Sequence, residues 1–131
     1  MAERINERAE WIVYNGIRII FQDYHGLGDE AFVAEIKRTE KDLFDIGKRE
    51  GERSLLILVD INDTVIKPDV MNAFKSVASV LEPYTVATAI LGVYGVRKML
   101  LDIVRTFSNM NLKAFDTEQE AKEWLVAHSD A

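Results

Sequence analysis

The chain has no cysteine, two prolines and two histidines among its 131 residues. Without cysteine there is neither a disulfide framework nor a thiolate metal site. His25 and His128 are too few for a three-histidine zinc centre. No serine sits in the Gly-x-Ser-x-Gly frame that would place a nucleophile beside one of them. No apolar run approaches the length needed to cross a bilayer. The opening Met1-Ala-Glu-Arg-Ile-Asn-Glu-Arg8 is too charged for a secretory leader, so the expected address is the cytoplasm. An excess of cations is missing as well. The formal charge is −6 and the isoelectric point about 4.9, which argues against a nucleic-acid or anionic-membrane binder.

What is present is a foldable composition, 48% hydrophobic and 29% charged. Its length suits one domain spanning residues 1–131, with 1–8 and 129–131 expected to be frayed. Leu55-Leu-Ile-Leu-Val-Asp60 is the most apolar segment and reads as the central strand of a sheet covered on both faces. Ahead of it, Glu10–Tyr14 and Ile17–Asp23 flank Asn15-Gly16, a strong two-residue hairpin signal. Asp29 is placed to cap a helix whose apolar stripe is Phe32, Val33, Ile36, Leu43 and Phe44, with Gly47 and Gly51 marking its stop. Pro68 suits the first turn of a second helix, which Pro83 ends. A strand over Thr85–Tyr94 leads into a third helix. A short strand, Leu112–Phe115, precedes a last helix with capping-box spacing at Thr117 and Glu120. The order β-β-α-β-α-β-α-β-α predicts an α/β fold: a five-stranded, mixed but mostly parallel sheet with an opening hairpin.

Ligands of parallel sheets gather at the carboxyl ends of the strands, which directs attention to Asp60, Asn62, Asp63 and Thr64 after the central strand. Asp60-Ile-Asn-Asp-Thr64 mimics the Asp-x-Asp-x-Thr nucleophile loop of haloacid-dehalogenase-type phosphotransferases, but Asn62 replaces the general acid/base. It fails as an EF-hand, because the loop glycine is missing and Met71 occupies the twelfth position. Asp60 and Asp63 together make a magnesium or phosphate site conceivable. The simpler reading is a turn in which polar side chains bond their own backbone. Gly92-Val-Tyr-Gly95, followed by Arg97 and Lys98, is a glycine-punctuated turn into a helix. Such a turn can hold an anion, although it is not a Walker loop. It also resembles the Gly-x-x-Gly of KH domains, but follows a strand rather than a helix.

Four stretches carry a resemblance across about Trp11 to Leu125. They are Leu56-Ile-Leu-Val-Asp-Ile-Asn-Asp63, Pro68-Asp-Val-Met-Asn-Ala-Phe-Lys75, Ala89-Ile-Leu-Gly-Val-Tyr-Gly-Val-Arg-Lys98 and Ala114-Phe-Asp-Thr-Glu-Gln-Glu-Ala-Lys-Glu-Trp-Leu125. The chain resembles the STAS domain of bacterial anti-sigma-factor antagonists. It is more closely similar to small bacterial STAS-like proteins related to CRAL-TRIO lipid-transfer domains. The resemblance implies a β-α superhelix and a non-enzymatic regulatory or protein-interaction role in the bacterial cytoplasm, with no cofactor and no metal. It implies a contact surface of strand-end loops (Asp60, Asn62, Asp63, Thr64, Tyr94) and the start of the basic helix (Arg97, Lys98). The expected partner is another protein or a second copy of the chain in a homodimer. The alternative is a small anionic ligand or lipid head group bound by the same loops. Antagonists of this family are switched by phosphorylation at an Asp-Ser pair where a helix begins; here that pair is missing, and Thr64 is the hydroxyl nearest the equivalent place.

Overall fold

A computed structural model describes residues 3–95, 98–107 and 111–129. Its elements are β1 (Glu3–Asn6), β2 (Ala9–Tyr14), β3 (Ile17–Asp23), α1 (Asp29–Glu50), β4 (Leu55–Asp60), α2 (Pro68–Leu81), β5 (Thr85–Leu91), α3 (Lys98–Phe107), β6 (Leu112–Phe115) and α4 (Glu118–His128). The six strands lie in sequence order. β2 runs antiparallel to both β1 and β3, and β3 to β6 are parallel.

The sheet has one strand more than the sequence reading allowed, because residues 3–6 form β1 instead of a frayed end. A four-residue polar edge strand carries little alternation to read. It is held by pairing with β2, by an Arg4–Glu10 ion pair at 3.1 Å and by Ile5, which packs on the core. Its charges also blunt an open sheet edge.

This strand order dictates the layering. Each crossover after β3 adds the next strand on the same side, so crossovers of one hand leave their helices on one face. α1, α2 and α3 bury Phe32, Ile36, Leu43, Val70, Leu81 and Leu101 against Ile20, Ile57 and Ile90 of the sheet. The opposite face is left to α4, whose Ala121 and Leu125 pack on Leu56, Leu58, Ala87 and Ala89. The alanines of β5 let this helix approach closely. Its start is capped as expected: Thr117 Oγ1 accepts from the Glu120 N–H at 3.2 Å.

Two expectations about α1 are corrected. Asp29 is its first residue, not its cap; the cap position is Gly28, and the Asp29 carboxylate instead pairs with Lys67. That contact pushes the Lys67 ammonium up from its ordinary value, first by hydrogen bonding and then by charge. The helix also runs through Gly47 to Glu50. Gly47 is there for space, since a Cβ would lie 2.6 Å from Tyr84 Cγ. Gly51 does end the helix, at φ +108°.

Tyr24 closes the core where β3 meets α1 and α2. Its ring lies 5.3 Å from Phe32 and 5.6 Å from Phe74, and its hydroxyl donates to Thr39 Oγ1 at 2.5 Å. Burial pushes this phenol well above the ordinary tyrosine range. A raised acid stabilises the fold fully below the unfolded value, near pH 10, and withdraws that contribution as pH climbs towards the folded value. Unfolding midpoints measured from pH 8 to 12 are expected to fall more steeply above pH 10 in the wild type than in Tyr24→Phe. Parallel curves would mean that Tyr24 titrates normally.

Candidate functional site

The carboxyl ends of β3, β4 and β5 bring three loops together. Gly26 N–H donates to the Asn62 carbonyl at 3.1 Å, and Val65 N–H to the Leu27 carbonyl at 3.1 Å. Gly92 lies so close to the second loop that a Cβ would stand 2.7 Å from the Asn62 nitrogen. Asp60, Asn62, Asp63, Thr64 and Tyr94 all belong to this rim. Lys98, at the start of α3, is exposed. Arg97 lies outside the described residues.

The acidic groups of the rim are spent locally. Asp60 Oδ1 accepts from the Asn62 backbone N–H and from Asn62 Nδ2, both at 2.8 Å. This is the turn chemistry expected of Asp and Asn after a strand. Asp63 sits at φ +58° and faces His25, Oδ2 to Nε2 at 2.9 Å, with both side chains more than half exposed. Thr64 is 4% exposed, and its hydroxyl donates to the Ile61 carbonyl at 2.7 Å. The threonine nearest the family's switch position therefore points inward in this conformation. Asp60 and Asp63 serve different partners, and among the described residues no three acidic or histidine side chains gather as a metal site. Arg105, in the last turn of α3, reaches the Leu112 carbonyl at 2.6 Å and so ties α3 to β6.

Apolar groups occupy the outside of the same rim. Val65 is 49% exposed, Tyr94 50% and Met99 56%, from the loop after β4, the loop after β5 and the first turn of α3. The sequence reading named Tyr94 and missed the other two. Val65 directly follows the polar turn Asn62-Asp-Thr64, and Met99 is one of several apolar residues in α3, so residue type alone marks neither as exposed.

Under the three-helix face lies a partly open apolar pocket of about 70 Å³, lined by side chains that include Gln22, Phe74, Thr88, Leu101 and Val104. Gln22 is 1% exposed and donates through Nε2 to the Arg8 carbonyl at 3.3 Å. Its Oε1 is buried without a partner among the described protein groups. Sequence reasoning passed over Gln22. The available signal was its parity with Trp11 and Ile20, which places a lone polar residue on an apolar face.

No protein-family model matches the chain, and no curated protein matches it. Among solved structures it is similar to an uncharacterized protein of the DUF3478 family with a SpoIIAA-like fold from Shewanella loihica PV-4. The TM-score is 0.69 and the identity 13%, over 89% of this chain and 91% of that one. No helix among the described residues is long and apolar enough to cross a membrane. The sheet order, the three helices on one face and the likeness of the whole architecture agree: the chain has the SpoIIAA-like, that is the STAS-like, fold.

Proposed function

We propose that this chain is a non-enzymatic STAS-like interaction module of the bacterial cytoplasm, and that it docks a protein partner on the rim of strand-end loops. One observation carries the reading. Val65, Tyr94 and Met99 stand half exposed on that rim, while its polar groups are turned to their own backbone or to each other. Apolar and aromatic side chains with a polar surround favour protein contact over chemistry on a bound substrate. An enzyme built on Asp60 and Asp63 would need both carboxylates free for one substrate, and Asp60 is engaged by Asn62. The anion-binding alternative rests on the start of α3, where Lys98 is exposed.

A second copy of the chain is the first partner to test. Native mass spectrometry of the purified protein is expected to show a homodimer. The double variant Val65→Asp with Tyr94→Asp is expected to be monomeric at an unchanged thermal midpoint, since surface substitutions usually change stability by less than about 0.5 kcal/mol. A double variant as dimeric as the wild type would remove the rim from the interface. A wild-type monomer carrying an added mass would replace the interaction reading with ligand carriage.

A further inference from the structure

The rim has two halves of opposite character. The sheet order sets β3 and β4 on one side of it and β5 on the other. On the β3–β4 side stand Asp63 and Val65. Asp63 faces His25 of the loop after β3, and its side chain is still 72% exposed. Val65 lies against the same loop: its N–H donates to the Leu27 carbonyl, and a Cβ on Gly28 would meet its side chain at 3.2 Å. On the β5 side stand Tyr94, Lys98 and Met99, all exposed. Lys98 has no ion-pair partner among the described residues. Each half therefore joins exposed apolar surface to an exposed charge, and the two charges are of opposite sign.

Such a surface is its own complement. In a dimer with a two-fold axis, residue i of one copy meets residue j of the other, and j meets i. An axis leaving the rim between the loop after β4 and the loop after β5 turns the acidic half of one copy onto the basic half of the next. Val65 then covers Tyr94 and Met99 of the second copy, and Asp63 meets Lys98, each contact made twice. Setting like halves together would put carboxylate against carboxylate and ammonium against ammonium, so the charges select the first arrangement.

We propose that the rim is the contact of a two-fold homodimer, in which Asp63 of each copy pairs with Lys98 of the other while Val65 packs on Tyr94 and Met99. This rests on the reading of the rim as a docking surface and names its partner, a second copy in one orientation. The apolar groups supply the affinity, since an exposed ion pair is worth little by itself, and the charges set the register.

Charge reversal in mixed dimers tests the orientation. Asp63→Lys is expected to raise the dimer dissociation constant about tenfold or more, because both charged contacts become repulsive, and Lys98→Asp is expected to do the same. When the two variants are mixed in equal amounts, they form a heterodimer in which both contacts are again of opposite sign. Its dissociation constant should lie within about threefold of the wild-type value, and native mass spectrometry separates it by mass from either homodimer. Variants that each self-associate as tightly as the wild type overturn the proposal, and so does a mixture no more dimeric than its components. A monomeric wild type overturns it too. Failure of the rim itself reads differently. If Val65→Asp with Tyr94→Asp dissociates the dimer while the reversed charges leave it intact, the rim still docks a second copy, but in another orientation. Asp63 holds φ +58°, a backbone state that lysine adopts reluctantly. Should Asp63→Lys fail to fold, Lys98→Asp alone decides: its homodimer must weaken about tenfold, and an unchanged one overturns the proposal.

Discussion

Gly92→Val is expected to cost about 4 kcal/mol and to lower the thermal midpoint by roughly 10–20 °C, as two separate effects. Gly92 holds φ +93°, a backbone state that a β-branched residue resists at a cost of about 1–3 kcal/mol. Its Cβ would also meet backbone, with the Asn62 nitrogen at 2.7 Å and Asn62 Cα at 3.0 Å. Backbone cannot swing aside as a side-chain tip can, so the loop after β4 must move, at a further cost of about 1–3 kcal/mol. Gly95 is the internal control. It too has positive φ, at +61°, but a Cβ there would meet nothing within 4 Å, so Gly95→Ala should cost only about 1 kcal/mol. If the two variants melt alike, the close approach of the loops is not what Gly92 provides. The consequence for function is direct. The approach of Gly92 to Asn62 sets Tyr94 beside the Asp60–Thr64 turn, so the valine variant should lose rim-dependent association even below its midpoint.

The parts of the fold legible in the sequence were those with strong period or unambiguous turn chemistry. Leu55–Asp60 is apolar on successive residues because both of its faces are covered. Pro68 and Thr117 start helices for local reasons that survive in any context. Asn15 and Gly16 both take positive φ, as a tight hairpin requires. What escaped depended on partners distant in the chain. β1 is a strand because β2 offers it an edge, which a charged four-residue segment does not announce. Gly47 looks like a helix stop until Tyr84, far along the chain, is seen to lie over it. The rim was legible as a location, since the carboxyl ends of parallel strands follow from the element order. Its character was not. Whether Asp60 serves a ligand or the Asn62 turn, and whether Thr64 points out or in, is decided by loop geometry rather than residue type. Gln22 was legible only by parity, once the pairing of Trp11 with Ile20 was fixed.

Phe32→Ala is expected to be the most damaging single truncation of the core on the helix side, at about 3–5 kcal/mol. Phe32 is 0% exposed and forms a three-ring cluster in which every pair touches, 5.3 Å from Tyr24 and 5.5 Å from Phe74, with those two 5.6 Å apart. The three rings join the end of β3, the first turns of α1 and the middle of α2. Removing this fully buried ring therefore opens a void next to the pocket that Phe74 and Tyr24 already line. Collapse to fill that void is hindered on the sheet side, where β3 is locked in register with both β2 and β4. Phe44→Ala sets the scale. Phe44 is only partly buried and contacts Tyr84 edge-on at 5.7 Å, so its loss should cost about 1–2 kcal/mol. Denaturant unfolding of the two variants checks the ordering, and equal losses would show that the three-ring cluster has no special place in the core.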